Sequence, residues 1–243
     1  MSRQRPPAVW FTEEQPRKPR LSRERIARAA VDLLDAEGVT GFSMRRLAAR
    51  LDAGVMSAYE YVRGKEDVLD LAMDQVFAEI ELDDPGTTPW RRVLTRQLHQ
   101  SRRVMKRHPW LPSLMAVRPL LGPHFLARSE LFYAALARAG LHGPELLAAV
   151  GTLTYYVQGY TAAEITWRGS VRDSAEETEL RRQAQRYLDQ RSELYPALTR
   201  HAQLADDDFD GQFQRGLDLI LDGIQARLGH EAQDHPGHEA QDR

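Results

Sequence analysis

Between Ser43 and Lys65 the chain gathers hydroxyl, guanidinium, phenol and ammonium groups around one interruption, Asp52-Ala53-Gly54. Ser43, Met44 and Arg45 lie before it, and Val55, Met56, Ser57, Tyr59, Tyr61 and Lys65 follow it. None of these is a nucleophile paired with a base. What they can do is recognise a polyanion: Arg45 can fork onto a guanine edge, Val55 and Met56 can meet a thymine methyl, and Ser57 can reach a base or a phosphate. Tyr59, Tyr61 and Lys65 suit phosphate oxygens, as do the amides of a helix beginning at Ser43 and Met44. Plainer roles stay open at each position. Ser43 can be only a helix cap, either tyrosine can pack inward, and Lys65 can be solvated. Glu60 is the one acid in the run after the turn and must face away from any anion.

A second chemistry is conceivable at "DDDFD", where Asp206, Asp207 and Asp210 have the spacing to share Mg²⁺ across one helical turn, as in helical diphosphate-processing enzymes. Such enzymes need a facing carboxylate cluster, and none with matching spacing is present. Acids at a helix start also simply complement its positive end. No Gly-rich phosphate loop appears. His230, His235 and His238, in a polar tail that repeats "GHEAQD", lack the rigid geometry of a metal site. No metal or cofactor is expected.

The elements that would position these groups are helices throughout; no alternating strand pattern occurs. Ile26, Ala29, Ala30, Leu33 and Leu34 make one stripe, closed by Gly38 where a left-handed residue ends a helix. Ser43 opens a second helix of about two turns. A third runs from Val55 to about Val62, and Gly64 breaks it before a fourth carrying Val68, Leu69, Ala72, Val76 and Phe77. Ala53 supplies an inward contact and Gly54 relaxes the turn. Two short helices at a tight turn, braced by a first and followed by a longer one, form a helix-turn-helix whose second helix fits the major groove.

"DDPGTTP", Asp83 to Pro89, collects turn formers and separates this head from a larger body. There Trp90, Val93, Leu94, Leu98, Ser101 and Met105 share a face, as do Phe125, Ser129, Phe132 and Leu136; Pro144 opens a long apolar helix, and Phe209 to Leu228 closes the series. The expected fold is all-α: an N-terminal three-helix helix-turn-helix DNA-binding domain (21–82) and a larger helical ligand-binding and dimerisation domain (88–228). A flexible basic arm (1–20) and a disordered tail (229–243) flank them.

The 243 residues carry a net charge of −2, but residues 1–65 hold 13 Lys and Arg against 8 Asp and Glu, and the rest 20 against 27. That asymmetry suits a nucleic-acid-binding head on a non-binding body. The absence of cysteine points to a reducing cytoplasm, and no signal peptide or membrane span is expected.

The stretch from Leu21 to Ala72, with "AEGVTGFSMRRLAARL", a turn and "GVMSAYEYVRGKEDVL", resembles the DNA-binding domain of the tetracycline-repressor family of transcriptional regulators. "AVGTLTYYVQGYTAAE" and "FQRGLDLILDGI" are similar to two helices that form the dimer's four-helix bundle in the tetracycline repressors themselves. The resemblance implies a homodimer that grips a palindromic operator on double-stranded DNA and lets go when a small-molecule inducer enters each body. Gly151, Gly159 and Ala163 would permit close helix approach, and Leu217, Ile220, Leu221 and Ile224 would supply an apolar face that a monomer exposes.

For the inducer, Gln97 and Ser101 interrupt an apolar face, and Met105, Trp110, Met115, Phe132 and Tyr155 could wall the cavity. The histidine with which tetracycline repressors hold the drug's magnesium would fall near Leu114 or Met115, where no histidine stands, so tetracycline is not implied. A helical small-molecule-binding protein without DNA function remains the alternative, with the magnesium-dependent enzyme behind it.

Overall fold

The computed structural model describes residues 21–82, 86, 88–171, 173–205 and 208–234. The expected arm, Asp206, Asp207, most of the 83–87 connection and the tail from 235 lie outside the described residues. Eleven helices and no strand occur among the described residues.

The head comprises α1 (Arg23–Gly41), α2 (Met44–Arg50), α3 (Val55–Tyr59) and α4 (Lys65–Phe77). Ser22 and Ser43 cap α1 and α2, their hydroxyls accepting from Arg25 N–H at 3.2 Å and Arg46 N–H at 3.3 Å. Gly38 has φ +67°, as its sequence position suggested, but the chain continues past this kink to Gly41 in helical form. The tight turn corrects one expectation. Its left-handed residue is Asp52 (φ 48°), whereas Gly54 has φ −69° and room for a methyl group. Asp is the side chain after Asn that best tolerates this region, so glycine was not needed there.

The body comprises α5 (Trp90–Arg107), α6 (Leu111–Met115), α7 (Pro123–Arg138), α8 (Gly143–Gly169), α9 (Ser174–Asp189), α10 (Pro196–His201) and α11 (Phe209–Asp234). The single-turn helices α6 and α10 are too short to leave a periodic signal. Helix α11 runs through Asp234, so the first "GHEAQD" copy is helical and the expected tail boundary at 229 is too early. No helix among the described residues is long and apolar enough to cross a membrane.

One apolar core joins head to body without a break, from Ile26, Leu34 and Leu47 through Val68, Met73 and Phe77 to Leu94, Leu98, Phe132, Leu153 and Phe213. Helices α8 and α11 lie close: the Tyr156 and Tyr160 hydroxyls donate to the carbonyls of Phe213 and Phe209, each at 2.8 Å. A β-carbon on Gly216 would stand 2.3 Å from the Tyr156 hydroxyl, so Gly216 is what this approach requires.

Candidate nucleic-acid interface and ligand site

Helices α2 and α3 are too short to hold themselves, and hydrogen bonds from neighbouring segments fix them. Arg25 Nη2 on α1 donates to the Leu51 carbonyl at 3.1 Å, Arg23 Nε to the Tyr61 carbonyl at 3.1 Å, and Arg46 Nη1 to the Gly41 carbonyl at 3.2 Å. On this frame Arg45, Met56 and Tyr59 are exposed, Met56 at 76%. Met44, Val55 and Ser57 are half-buried beside them, and Gly54 is exposed. Tyr61 packs against the core. Lys65 also turns inward: its Nζ donates to the Phe42 carbonyl at 3.4 Å and sits 5.6 Å from the Phe42 ring centroid, bracing the residue that leads into α2. Glu60 lines a groove between head and body, alongside Asp67 and Leu120.

Where α4 begins, Asp67 accepts from the Arg63 backbone N–H at 2.9 Å and from its guanidinium at 3.0 and 2.9 Å. These bonds lower the Asp67 pKa to about 2. On another face of α4, Glu66, Asp70 and Asp74, spaced four residues apart, reach the body. Arg118 pairs with Glu66 and donates from Nε to Asp70 at 2.8 Å. Asp74 accepts the Phe125 N–H at 3.0 Å, capping the start of α7, and a β-carbon on Gly122 would stand 2.2 Å from the Asp74 carboxyl. At the other end of the head, His108 faces Asp35 of α1 (Nδ1 to Oδ1, 2.7 Å) and Glu79 (Nε2 to Oε1, 3.1 Å), while Trp110 Nε1 donates to Asp35 at 2.6 Å. Sequence reasoning missed these links because their partners lie 29 to 75 residues apart.

The residues expected to wall one cavity are divided. Gln97, Ser101, Met105 and Phe132 are buried in the core. Gln97 Nε2 donates to the Glu81 carbonyl at 2.7 Å, and Gln100 Oε1 accepts the Glu81 N–H at 3.0 Å, so two glutamines of α5 grip the peptide that leaves the head. Trp110 belongs to the Asp35 link. Met115 and Tyr155 instead line an open groove between α6 and α8, and Tyr155 is 74% exposed, which corrects its place in a cavity wall. The groove between head and body encloses about 590 Å³ over Met73, Phe77, Leu120 and Phe125. One turn along α7 from Phe125, buried against Ser101 and Phe132, lies a residue the stripe reading passed over: Arg128, 3% exposed, where Ser129 had been placed on the inward face. A cation between Phe125 and Phe132 in an apolar stripe was the available signal.

The expected dimer residues are also redistributed. Leu217 and Leu221 are fully buried within the chain's own core, correcting the expectation that they form an uncovered face. Ile224 is buried and Ile220 half-buried. Gly151 is half-buried, while Gly159 and Ala163 are exposed. The apolar groups that do stand outside are Leu147, Tyr155 and Leu219, together with a shallow groove between α8 and α11 lined by Ala148, Thr152, Leu219 and Gly223. Periodicity marks an apolar face on each of these helices but not which face the chain covers itself.

Asp210 is committed elsewhere, pairing with Arg102 Nη1 at 2.6 Å, and Arg102 also donates to buried Glu164 from Nη2 at 2.7 Å. Burial opposes the charge on Arg102, but these carboxylates outweigh it and raise the guanidinium pKa. No cluster of acids and histidines able to hold a metal occurs among the described residues.

Residues 82–228 match the family model described as "Tetracyclin repressor-like, C-terminal domain". The chain is 42% identical over 228 residues to an HTH-type transcriptional regulator of Saccharopolyspora erythraea, covering 93% of this chain and 94% of that one. It is 35% identical over 227 residues to the HTH-type transcriptional repressor DrrR1 of Streptomyces coeruleorubidus, covering 89% and 83%. Among solved structures, that of the Streptomyces coelicolor TetR family protein ActR in complex with actinorhodin superimposes with a TM-score of 0.77 at 28% identity, covering 87% of this chain and 100% of ActR.

Proposed function

The chain belongs to the tetracycline-repressor family of transcriptional regulators, and from that premise we propose that it grips an inverted-repeat operator as a homodimer and releases it when a small molecule enters each body. The observation that carries this reading is the set of bonds by which α4 joins the two parts. The helix that follows α3 is tied to the body through Arg118 and through Asp74 at the start of α7. A molecule entering between α4 and α7 displaces these contacts, and α3 moves with α4 because Tyr61 and Val62 connect them in only a few residues.

In the DNA-bound state α3 lies in the major groove. Arg45 and Met56 read base edges, Ser57 reads a base or a phosphate, and Tyr59 and the start of α2 at Ser43 and Met44 contact phosphates. Lys65 acts mainly by steadying α2. Titration of the purified protein into labelled duplex carrying the inverted repeat nearest its own gene, against a shuffled duplex at two salt concentrations, tests the reading. A preference for the repeat of at least 10³-fold is expected for specific binding of this class. Equal binding to both duplexes would reject it.

A further inference from the structure

The buried cations of the body are not treated alike. Arg102, 6% exposed, has Glu164 and Asp210 as counter-charges. Arg128, 3% exposed, has no carboxylate partner among the described residues. Its Nη2 donates to Ser101 Oγ at 2.6 Å, its Cζ lies 4.5 Å from the Phe132 ring centroid, and its Nε meets no acceptor among the described residues. Removing a guanidinium from water without a counter-charge is costly, and a ring face and one hydroxyl return little of that cost. Burial alone lowers its pKa to about 10, which leaves it cationic at neutral pH.

We propose that the effector is an apolar organic anion whose carboxylate or sulfonate pairs with Arg128; this rests on the reading that the body takes an effector. The apolar part is matched by the groove. Phe125, which lines it with Met73 and Phe77, precedes Arg128 by three residues and so shares its face of α7. The anion would thus sit one helical turn beyond the groove wall, where the guanidinium fork offers two donors. A link toward the head is already in place. Arg128 donates to Ser101, Ser101 donates to the Gln97 carbonyl at 2.7 Å, and the Gln97 amide donates to the carbonyl of Glu81, in the segment leading from α4 to α5. An anion that draws Arg128 away from Ser101 therefore loosens a chain of bonds ending at the head.

Two fluorescent probes that share one scaffold test the proposal: 8-anilino-1-naphthalenesulfonate, and N-phenyl-1-naphthylamine, which lacks the sulfonate. Each is titrated into the full-length protein and into Arg128→Met and Arg128→Lys. Wild type is expected to favour the sulfonate by about 10- to 100-fold, the range for a hydrogen bond to a charged group. Arg128→Met should lose that preference while binding the neutral probe unchanged, and Arg128→Lys should keep part of it. Arg128→Met should also melt no lower than wild type, since an uncompensated buried charge is removed. Equal affinity for both probes in wild type, a sulfonate preference that survives Arg128→Met, or a large fall in its melting temperature would each overturn the proposal. Operator binding is scored separately. A protein that holds its inverted repeat but ignores the sulfonate refutes the anion site alone, and one that selects the sulfonate but not the repeat refutes the regulatory reading.

Discussion

Arg118 Nε donates to Asp70 Oδ1 at 2.8 Å, tying the loop after α6 to the helix that leaves the head. The same guanidinium reaches the Glu66 carboxylate and donates to the Glu66 carbonyl at 2.9 Å, so one side chain spans a full turn of α4. Its carboxylate partners are about half exposed or more, which discounts the pair to the upper part of the surface range. Arg118→Ala is expected to cost about 1 kcal/mol in urea unfolding. Arg118→Lys should recover little of it, because an ammonium cannot form the fork.

Asp35 should matter more. Its Oδ1 faces both His108 Nδ1 and Trp110 Nε1, and both of those residues are buried. Asp35→Ala strands two buried donors, each worth about 1–3 kcal/mol, so a loss of roughly 2–4 kcal/mol is expected by denaturant unfolding. Asp35→Asn keeps an acceptor oxygen and should lose clearly less. Equal losses in the two variants would show that the carboxyl oxygen is not what holds the link.

What the sequence disclosed follows from the range over which its signals act. Helical stripes, the Ser43 cap and the left-handed backbone at Gly38 are local, and they were legible, although the helix resumes past Gly38 instead of ending there. So was the head, because its exposed Arg45 and Met56 sit within a dozen residues of the turn that orients them. Arg118 with Asp70, His108 with Asp35 and Arg128 with Ser101 depend on chain segments 27 to 73 residues apart, which no periodicity encodes. Leu217 and Ile220 illustrate a second limit. A 3.6-residue period marks an apolar face, but not whether this chain or another copy covers it.

At the turn, two substitutions should separate the residue that is strained from the one that is merely small. Asp52 holds φ 48°, a region that costs a β-branched residue about 1–2 kcal/mol, so Asp52→Val should lower stability by that amount. Gly54 has an ordinary φ and its added methyl would meet only Ser57 Oγ at 3.7 Å. Gly54→Ala should therefore change thermal stability by no more than about 0.5 kcal/mol.

For DNA, Arg45 and Lys65 should behave differently. Arg45 is exposed on α2, so Arg45→Ala is expected to cost about 1–3 kcal/mol on the preferred operator and to relax preference at one base pair. Lys65 is bonded to the Phe42 carbonyl, so Lys65→Ala should weaken all duplexes by a similar factor and leave the order of preference intact. Binding to a set of single-base operator variants distinguishes the two. A selective change on Lys65→Ala would mean that its ammonium leaves Phe42 to meet a base.

The outer face of α8 and α11 supplies the last prediction. Leu219 and Tyr155 are about three-quarters exposed, and the groove beside Leu219 is open in a single chain, whereas Leu217, two residues away, is fully buried. If a second copy covers this face, Leu219→Glu buries a charge at the contact and prevents pairing, yet leaves the chain folded, since an exposed position tolerates the change within about 0.5 kcal/mol. Light scattering should then give the single-chain mass with an unchanged helical circular dichroism spectrum, and operator affinity should fall because only one recognition helix remains per particle. Leu217→Ala should do the reverse: it opens a cavity costing about 2–5 kcal/mol and lowers the melting temperature while the particles still pair at low temperature. A Leu219→Glu protein that keeps the mass of a pair would place the contact elsewhere.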